Sequence, residues 1–208
     1  MGSVVALESL LAAQTLWHAG RGAVAPVDSE STGHAALDRL LPQGGWPRGA
    51  LTELLLPADG VGEIGLLMPT LARLSQGDDA VVLIAPPYLP YAPAWQGGGV
   101  DLARLHLVEA APRDALWAFE QCLRSGACAA VIGWPGHADG RALRRLQVAA
   151  DSGDCLGFAL RDRRHAVNAS PAALRLEYVP ERERPGAWHV RKCRGGHPPA
   201  QAFAWTGH

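Results

Sequence analysis

Short apolar runs alternate with helix-like segments over most of this chain. The runs predicted as buried strands are residues 50–56, 80–85, 105–108, 128–134 and 155–160. The helices predicted between them are residues 61–75, interrupted early by Pro69, then 112–124 and 140–150. Strands that alternate with helices are typical of a mostly parallel sheet covered by helices on both faces.

The last third of the chain has a different pattern. Residues 174–179, 188–192 and 202–205 are separated by turns that contain Pro185-Gly186 and Gly195-Gly196. Short segments between turn residues are typical of antiparallel strands. We therefore predict an α/β fold in which antiparallel strands extend the C-terminal edge of the sheet.

A short apolar helix pattern opens the chain at residues 4–13. Gly20, Gly22 and Pro26 follow this segment and separate it from the alternating pattern. We predict two units, an N-terminal helix and arm over residues 1–27 and a core domain over residues 28–208.

Composition narrows the class of protein. The 208 residues are 48% hydrophobic and 19% charged, as expected for a soluble globular chain. Apolar runs stay short of the roughly 20 residues that span a bilayer, and the N-terminus lacks the pattern of a secretory signal. We expect a cytoplasmic, nucleoid-associated protein without a membrane partner. The scattered cysteines and histidines have no metal-ligand spacing, so no metal site is predicted.

Charge is unevenly distributed along the chain. Residues 1–140 carry a net charge of −7 and residues 141–208 a net charge of +6. A basic third indicates an anionic partner, either weakly bound single-stranded DNA or an acidic protein surface, although solvated arginines on an ordinary surface give the same pattern. The candidate contacts are Arg141, Arg144 and Arg145, which share one helix face, and Arg161, Arg163 and Arg164, which follow a strand.

Residues 44–64 have the layout of a phosphate-binding loop. A turn leads into a buried strand, a loop containing Gly60 and Gly62, and a helix start. The position of the phosphate-binding lysine holds Glu63, and that of the metal-binding hydroxyl holds Ile64. A carboxylate repels a triphosphate and isoleucine cannot ligate Mg²⁺. We therefore predict a degenerate nucleotide site, no bound cofactor and no enzymatic activity.

Four short motifs resemble, in order, the core of the RecA recombinase. They are Ser31-Thr32-Gly33, residues 44–49, Gly99-Val100-Asp101-Leu102 and residues 123–127. The resemblance extends over about residues 31–180 and implies a RecA-like core. Residues 47–53, 84–93 and 141–147 further resemble the ImuA family, RecA-like accessory proteins of bacterial SOS mutagenesis that are sometimes labelled SulA-like.

The resemblance also implies what is missing for hydrolysis. A RecA-type core carries a catalytic carboxylate after the second core strand, where this chain has Pro86, and an acidic residue at the end of the Walker B strand, where it has Trp134. The predicted degenerate site therefore consists of Pro57, Gly60, Gly62, Glu63, Ile64, Pro86 and Trp134.

The N-terminal arm resembles the RecA segment that docks on a neighbouring protomer. An apolar helix separated by a glycine-containing linker needs a surface on which to bury, and its own core is an equally open alternative to RecA. The candidate partner-binding residues are Val4, Leu7, Leu10, Leu11, Leu16 and Trp17.

The implied function is that of a non-catalytic adaptor in SOS-induced translesion DNA synthesis. The expected partners are RecA, the ImuB polymerase homologue and an error-prone replicative-type polymerase. Two alternatives stay open. One is a SulA-like cell-division inhibitor that binds the tubulin-like division protein, and the other is a weak ATPase.

Overall fold

The computed structural model describes residues 29–181 and 186–205. In these residues eight strands form one sheet, and two further short strands pair in a separate ribbon. In chain order the elements are β1 (Ser29–Glu30), α1 (Ala35–Leu40), β2 (Trp46–Pro47), β3 (Ala50–Leu56), α2 (Glu63–Leu74), β4 (Ala80–Ile84), α3 (Ala92–Gly97), β5 (Leu105–Val108), α4 (Pro112–Arg124), β6 (Cys128–Gly133), α5 (Gly140–Ser152), β7 (Leu156–Asp162), a 3₁₀ turn (Arg163–Val167), β8 (Leu174–Val179), β9 (Ala187–Cys193) and β10 (Phe203–Ala204).

The strand order across the sheet is β10-β9-β8-β3-β7-β6-β4-β5. Strands β3 to β8 run parallel, while β9 is antiparallel to both of its neighbours. The prediction of a mostly parallel sheet flanked by helices, with an antiparallel edge, is therefore confirmed. All parallel strands end at one edge of the sheet, which is where the loops with candidate chemistry lie.

Helices cover both faces of the sheet because its central strands are mostly apolar. Every residue of β3 is buried. One face packs against α2 through Leu66, Leu67 and Leu71. The opposite face packs against α4 and α5, with Phe119 and Leu146 at its centre. A strand with both faces buried is apolar at most positions, as in β3, where Thr52 and Glu53 are the polar exceptions.

Three local predictions differ from the structure. Residues 174–179 were predicted as an antiparallel strand, but β8 is parallel to β3. The chain after β7 returns to the amino edge of the sheet and crosses over β3 before β8 begins, as a parallel connection requires. β7 extends to Asp162, two residues beyond the predicted end. Pro69 does not interrupt α2, which continues through it to Leu74 although an interior proline removes one helical hydrogen bond and crowds the preceding turn. Among the helices of residues 29–181 and 186–205, none has the length and apolarity to cross a bilayer.

Candidate functional site

The predicted phosphate loop lies between β3 and α2, at the carboxyl edge of the sheet. Gly60 and Gly62 both have positive φ, +80° and +98°. Gly62 caps the N-terminus of α2 in a left-handed conformation, without a side-chain hydrogen bond to the first turn. Backbone N–H groups at such a helix start attract an anion.

The anion at this loop is a carboxylate of the chain itself. The Gly60 N–H donates to Glu63 Oε1 over 2.8 Å, and Glu63 is only 4% exposed. The other carboxylate oxygen, Oε2, is buried and has no hydrogen-bond partner among the described residues. Glu63 thus accepts a loop N–H group that a working phosphate loop would offer to an anion.

An aromatic cluster from the C-terminal part of the chain packs against the Gly62 end of the loop. Gly62 lies so close to Trp205 that a Cβ atom on the glycine would be 2.5 Å from the indole Nε1. Trp205 is buried, and the His34 ring lies edge-on to it with centroids 5.3 Å apart. Phe203 completes the cluster. Trp205 thus leaves no room for a larger side chain at Gly62, which is half-buried, while Gly60 at the outer part of the loop is exposed.

The remaining residues of the predicted degenerate site divide into two groups. Pro57 follows β3 directly, and Ile64 packs half-buried against the main core. Pro86 and Trp134 follow β4 and β6, which are adjacent strands, so the structure brings these two together. β7 lies between β3 and β6, so Trp134 is two strands away from the phosphate loop.

Pro86 and Trp134 line an open groove of about 600 Å³. The loops after β4 and β6 and the first half of α4 form its walls, and most of the lining is apolar. The chain leaves β4 into α3 on one face of the sheet and leaves β6 into α5 on the opposite face. The groove therefore lies at the point where the strand order reverses, which is the usual place for ligands in open α/β sheets. Among the lining residues, Glu109 and His137 are the titratable side chains besides Tyr88.

A buried ion network lies in the sheet directly below the phosphate loop. Glu53 of β3 is fully buried, and its Oε1 accepts a hydrogen bond from Arg161 Nη1 of β7 over 2.8 Å. Arg175 of β8 lies directly opposite Glu53, with Nε 2.7 Å from Oε2. That second contact is an ion pair by distance, but its N–H is not aligned for a hydrogen bond. A buried carboxylate needs such partners because desolvation of an unpaired charge is costly.

The prediction that Arg161 contacts DNA or an acidic partner is wrong. Its side chain is 3% exposed, and it is held by Glu53 and by the Ala138 carbonyl, 2.5 Å from Nη2. The physical reason is the longer β7 strand, which places Arg161 inside the sheet instead of in the following loop.

Arg175 also organises the basic turn that follows β7. Its guanidinium donates to the carbonyls of His165, Ala166 and Asn168 over 2.9–3.3 Å. The turn presents Arg163 and Arg164 to solvent, and these two residues stay candidate contacts. In the same turn, the pKa of His165 is lowered by burial first and then by the positive charges of Arg161 and Arg164.

The predicted basic face of α5 lies on the surface. Arg141, Arg144 and Arg145 are all exposed, and Val148 continues the same exposed face. Arg145 pairs with Glu120 of α4, which also accepts a hydrogen bond from Arg124 over 2.8 Å. Because Glu120 neutralises part of the positive charge of this face, Arg141 and Arg144 provide most of the positive charge available to an anionic partner.

The candidate partner-binding residues of the arm lie outside the described residues. They are Val4, Leu7, Leu10, Leu11, Leu16 and Trp17. Their role in contacting RecA stays a prediction.

Sequence reasoning did not single out the aromatic cluster, the groove or the ion network. The network had a detectable signal, since Glu53 is the one charged residue in an otherwise uncharged strand. The cluster had none, because Trp205 and Gly62 are 143 positions apart and meet only in the folded sheet.

Comparison with known proteins gives limited information. No protein-family model matches the sequence, and no curated protein does. A crystal structure of SulA from Pseudomonas aeruginosa is similar to 53% of this chain and to 96% of that chain, with 26% sequence identity and a TM-score of 0.46. This overlap is partial and assigns the chain to no family.

Proposed function

We propose that this protein is a non-catalytic accessory protein of SOS-induced translesion DNA synthesis. In this proposal it is a RecA-like pseudo-ATPase that binds RecA and the assembly of ImuB with an error-prone polymerase. It uses the shape of a RecA protomer to bind and hydrolyses nothing. The observation that carries the proposal is Glu63, whose carboxylate occupies the phosphate loop.

The electrostatics of the loop support the loss of nucleotide hydrolysis. In a working loop a lysine neutralises the terminal phosphates. Here a buried carboxylate accepts the Gly60 N–H instead, so a triphosphate would meet a negative charge at the site of its own binding. Like charges separated by about 4 Å repel by several kcal/mol where the local dielectric is low.

The steric arrangement points in the same direction. Trp205 lies against Gly62 at the N-terminus of α2, where the backbone of a working loop approaches the phosphates. Pro86 and Trp134 stand where RecA-type hydrolysis needs acidic groups, and neither side chain has a carboxylate. Glu63 therefore opposes nucleotide binding by its charge and Trp205 by its position. Pro86 and Trp134 supply no acidic group for hydrolysis.

The proposed partners rest on the motifs that resemble RecA and the ImuA family. The structure adds two surfaces suited to an anionic partner, the exposed face of α5 with Arg144 and the turn with Arg163 and Arg164. Long-range attraction by such surfaces is weak at physiological salt, because the Debye length there is about 8 Å. We expect them to orient a partner, with apolar contacts providing the affinity.

Two assays test the loss of nucleotide chemistry. Fluorescent ATP analogue binding and phosphate release should both stay at background for the wild type, with RecA as the positive control. The variant Glu63→Lys restores the missing charge and should raise analogue affinity without restoring hydrolysis. Steady phosphate release by the wild type that Glu63→Lys abolishes would contradict the proposal and establish the weak ATPase.

Co-elution by size exclusion tests the proposed partners. The full chain should co-elute with RecA or with ImuB, and Leu7→Asp/Leu10→Asp should remove the RecA complex. The matched control Ser9→Asp/Gln14→Asp adds the same charge to the same segment at polar positions and should keep it. Co-elution with the tubulin-like division protein, and with neither RecA nor ImuB, would establish the SulA-like alternative instead.

A further inference from the structure

An exposed apolar segment borders the groove at the carboxyl ends of β4 and β6. In this segment, which follows β4, Tyr88 is 72% exposed, Leu89 82% and Tyr91 71%. Tyr88 and Leu89 also line the groove, whose volume is about 600 Å³. Large apolar side chains that cluster on a surface mark an interaction site. A protruding apolar segment and an apolar hollow thus lie side by side on one surface of the molecule.

The protruding segment is held in a fixed conformation. Ala85, the first residue after β4, has a φ of +43°, in the left-handed region that residues other than glycine rarely adopt. Its N–H donates to the Val108 carbonyl over 2.9 Å. Pro86, Pro87 and Pro90 then restrict the backbone of the segment. Backbone strain of this kind clusters at binding sites, and a rigid segment loses little conformational entropy when it binds.

Charge determines which surface of this chain can meet a second copy of itself. The exposed face of α5 carries Arg141 and Arg144, so two copies would repel each other there. The groove instead carries one acid, Glu109, and one histidine, His137, both exposed. In a contact around a two-fold axis, each residue meets a different residue of the other copy. The acid of one groove can therefore lie opposite the histidine of the other, so that like charges are kept apart.

The exposed apolar area is suited to a weak dimer. Specific interfaces bury at least about 600 Å² on each partner. A fully buried aromatic side chain contributes about 150–250 Å², so Tyr88 and Tyr91, at 72% and 71% exposure, offer about 210–360 Å² per copy. Leu89, Leu107 and the groove walls add to this area. Because such an interface is near the lower end of the specific range, we expect micromolar association.

We propose that two copies of this chain associate around a two-fold axis at this groove, with Tyr88 and Leu89 of each copy packed in the groove of the other. The dimer then has two equivalent contacts, each made of one protruding segment and one groove. This inference goes beyond the proposed function, since it involves neither RecA nor ImuB. No residue of α5 lines the groove, so the dimer presents the basic face of α5 twice to an extended anionic partner.

Sedimentation equilibrium of the full chain without any partner tests the association. Tyr88→Asp changes the protruding segment, and Ala115→Arg fills the groove from α4, where Ala115 is half-buried. Loss of one contact of hot-spot strength raises the dimer Kd roughly 30-fold. Each substitution is present twice in a symmetric dimer, so each variant should raise the Kd roughly 1,000-fold.

A mixture of the two variants separates this arrangement from other dimers. In a mixed dimer the intact segment of Ala115→Arg meets the intact groove of Tyr88→Asp, so one of the two contacts is restored. The Kd of the mixture should therefore be only about 30-fold above that of the wild type. The control Val167→Asp also replaces an apolar side chain by a charge, at a position 90% exposed and outside the groove, and should leave the Kd unchanged.

Hydrogen exchange of the wild type adds a test that requires no variant. Amides of residues 86–91 and 133–137 should exchange more slowly as the protein concentration rises through the micromolar range. Protection that is independent of concentration would indicate cover from within the same molecule and would overturn the proposal. So would a wild type that stays monomeric at about 100 µM, the upper end of the range expected for such an interface. A dimer that Val167→Asp weakens as much as Tyr88→Asp does would also place the contact elsewhere and overturn it.

Discussion

The contact between Gly62 and Trp205 gives a quantitative test of how tightly the indole packs on the predicted phosphate loop. Substitution Gly62→Ala adds one methyl group at a position where φ is +98° and where the new Cβ would lie 2.5 Å from the indole Nε1. Real Cβ atoms do not approach another atom so closely, so the indole or the helix start must move. Trp205 is buried with its own backbone N–H bonded to the Gly186 carbonyl over 2.8 Å, which limits that movement.

The magnitude separates into two parts. A non-glycine residue in the left-handed region costs about 1–2 kcal/mol. Forcing an extra methyl group into a filled site costs about a further 1–3 kcal/mol. We expect Gly62→Ala to lower the free energy of unfolding by about 2–5 kcal/mol, the sum of these two terms.

Gly60→Ala is the matched control for the first term. Gly60 lies in the same loop with φ +80°, but nothing lies within 4 Å of the Cβ position. Its expected cost is the backbone term alone, about 1–2 kcal/mol. The loss of entropy from the unfolded chain that accompanies any glycine-to-alanine change is the same in both variants and cancels in the comparison.

Urea unfolding followed by far-UV circular dichroism measures both variants against the wild type. Gly62→Ala/Trp205→Ala closes a double-mutant cycle, in which the coupling between the two positions should be about 1–3 kcal/mol because removal of the indole relieves the contact. Equal destabilisation by Gly62→Ala and Gly60→Ala, with no coupling to Trp205, would refute the close packing of the indole on Gly62.

Three further predictions concern buried polar groups. Glu53→Gln should lower the free energy of unfolding by about 3–5 kcal/mol, because it leaves two buried guanidinium groups without their counter-charge; urea unfolding measures it. Thr70→Val should cost about 1–3 kcal/mol in the same assay, since Trp46 Nε1 loses an acceptor 2.9 Å away in the core. NMR titration should place the pKa of His165 below the ordinary 6.5, mainly because of burial, and Arg164→Gln should raise it. Since the folded-state pKa is the lower one, the unfolded state binds the proton first, so the contribution of His165 to stability is lost as pH falls below about 6.5.

Each of these predictions has a result that would contradict it. Glu120→Gln removes a carboxylate whose two arginine partners are about half exposed, so it should cost about 1 kcal/mol or less; a cost equal to that of Glu53→Gln would argue against the buried network. Thr70→Ser keeps the hydroxyl and should retain most of the stability that Thr70→Val loses. An His165 pKa at or above 6.5, or one insensitive to Arg164→Gln, would contradict the described environment of the imidazole.

The alternation of apolar runs and amphipathic segments was sufficient to predict the architecture. A strand such as β3 is apolar at nearly every position, which requires cover on both faces and therefore helices on each side of a parallel sheet. The prediction that the loop does not bind a triphosphate or Mg²⁺ also follows from residue type alone, since it rests on the identity of Glu63 and Ile64. These are local properties, fixed by residue type and spacing.

Only the tertiary structure determined which side chains are buried and which residues they contact. Whether Arg161 reaches solvent depends on where β7 ends and on the position of Glu53, 108 residues earlier in the chain. That the Glu63 carboxylate accepts the Gly60 N–H depends on the direction of that N–H group. Trp205 meets Gly62 only because the C-terminal strand β10 pairs with β9 at the edge of the sheet. Contacts between residues so distant in sequence have no periodic signature, so spacing along the chain predicts the elements while their packing determines which side chains meet.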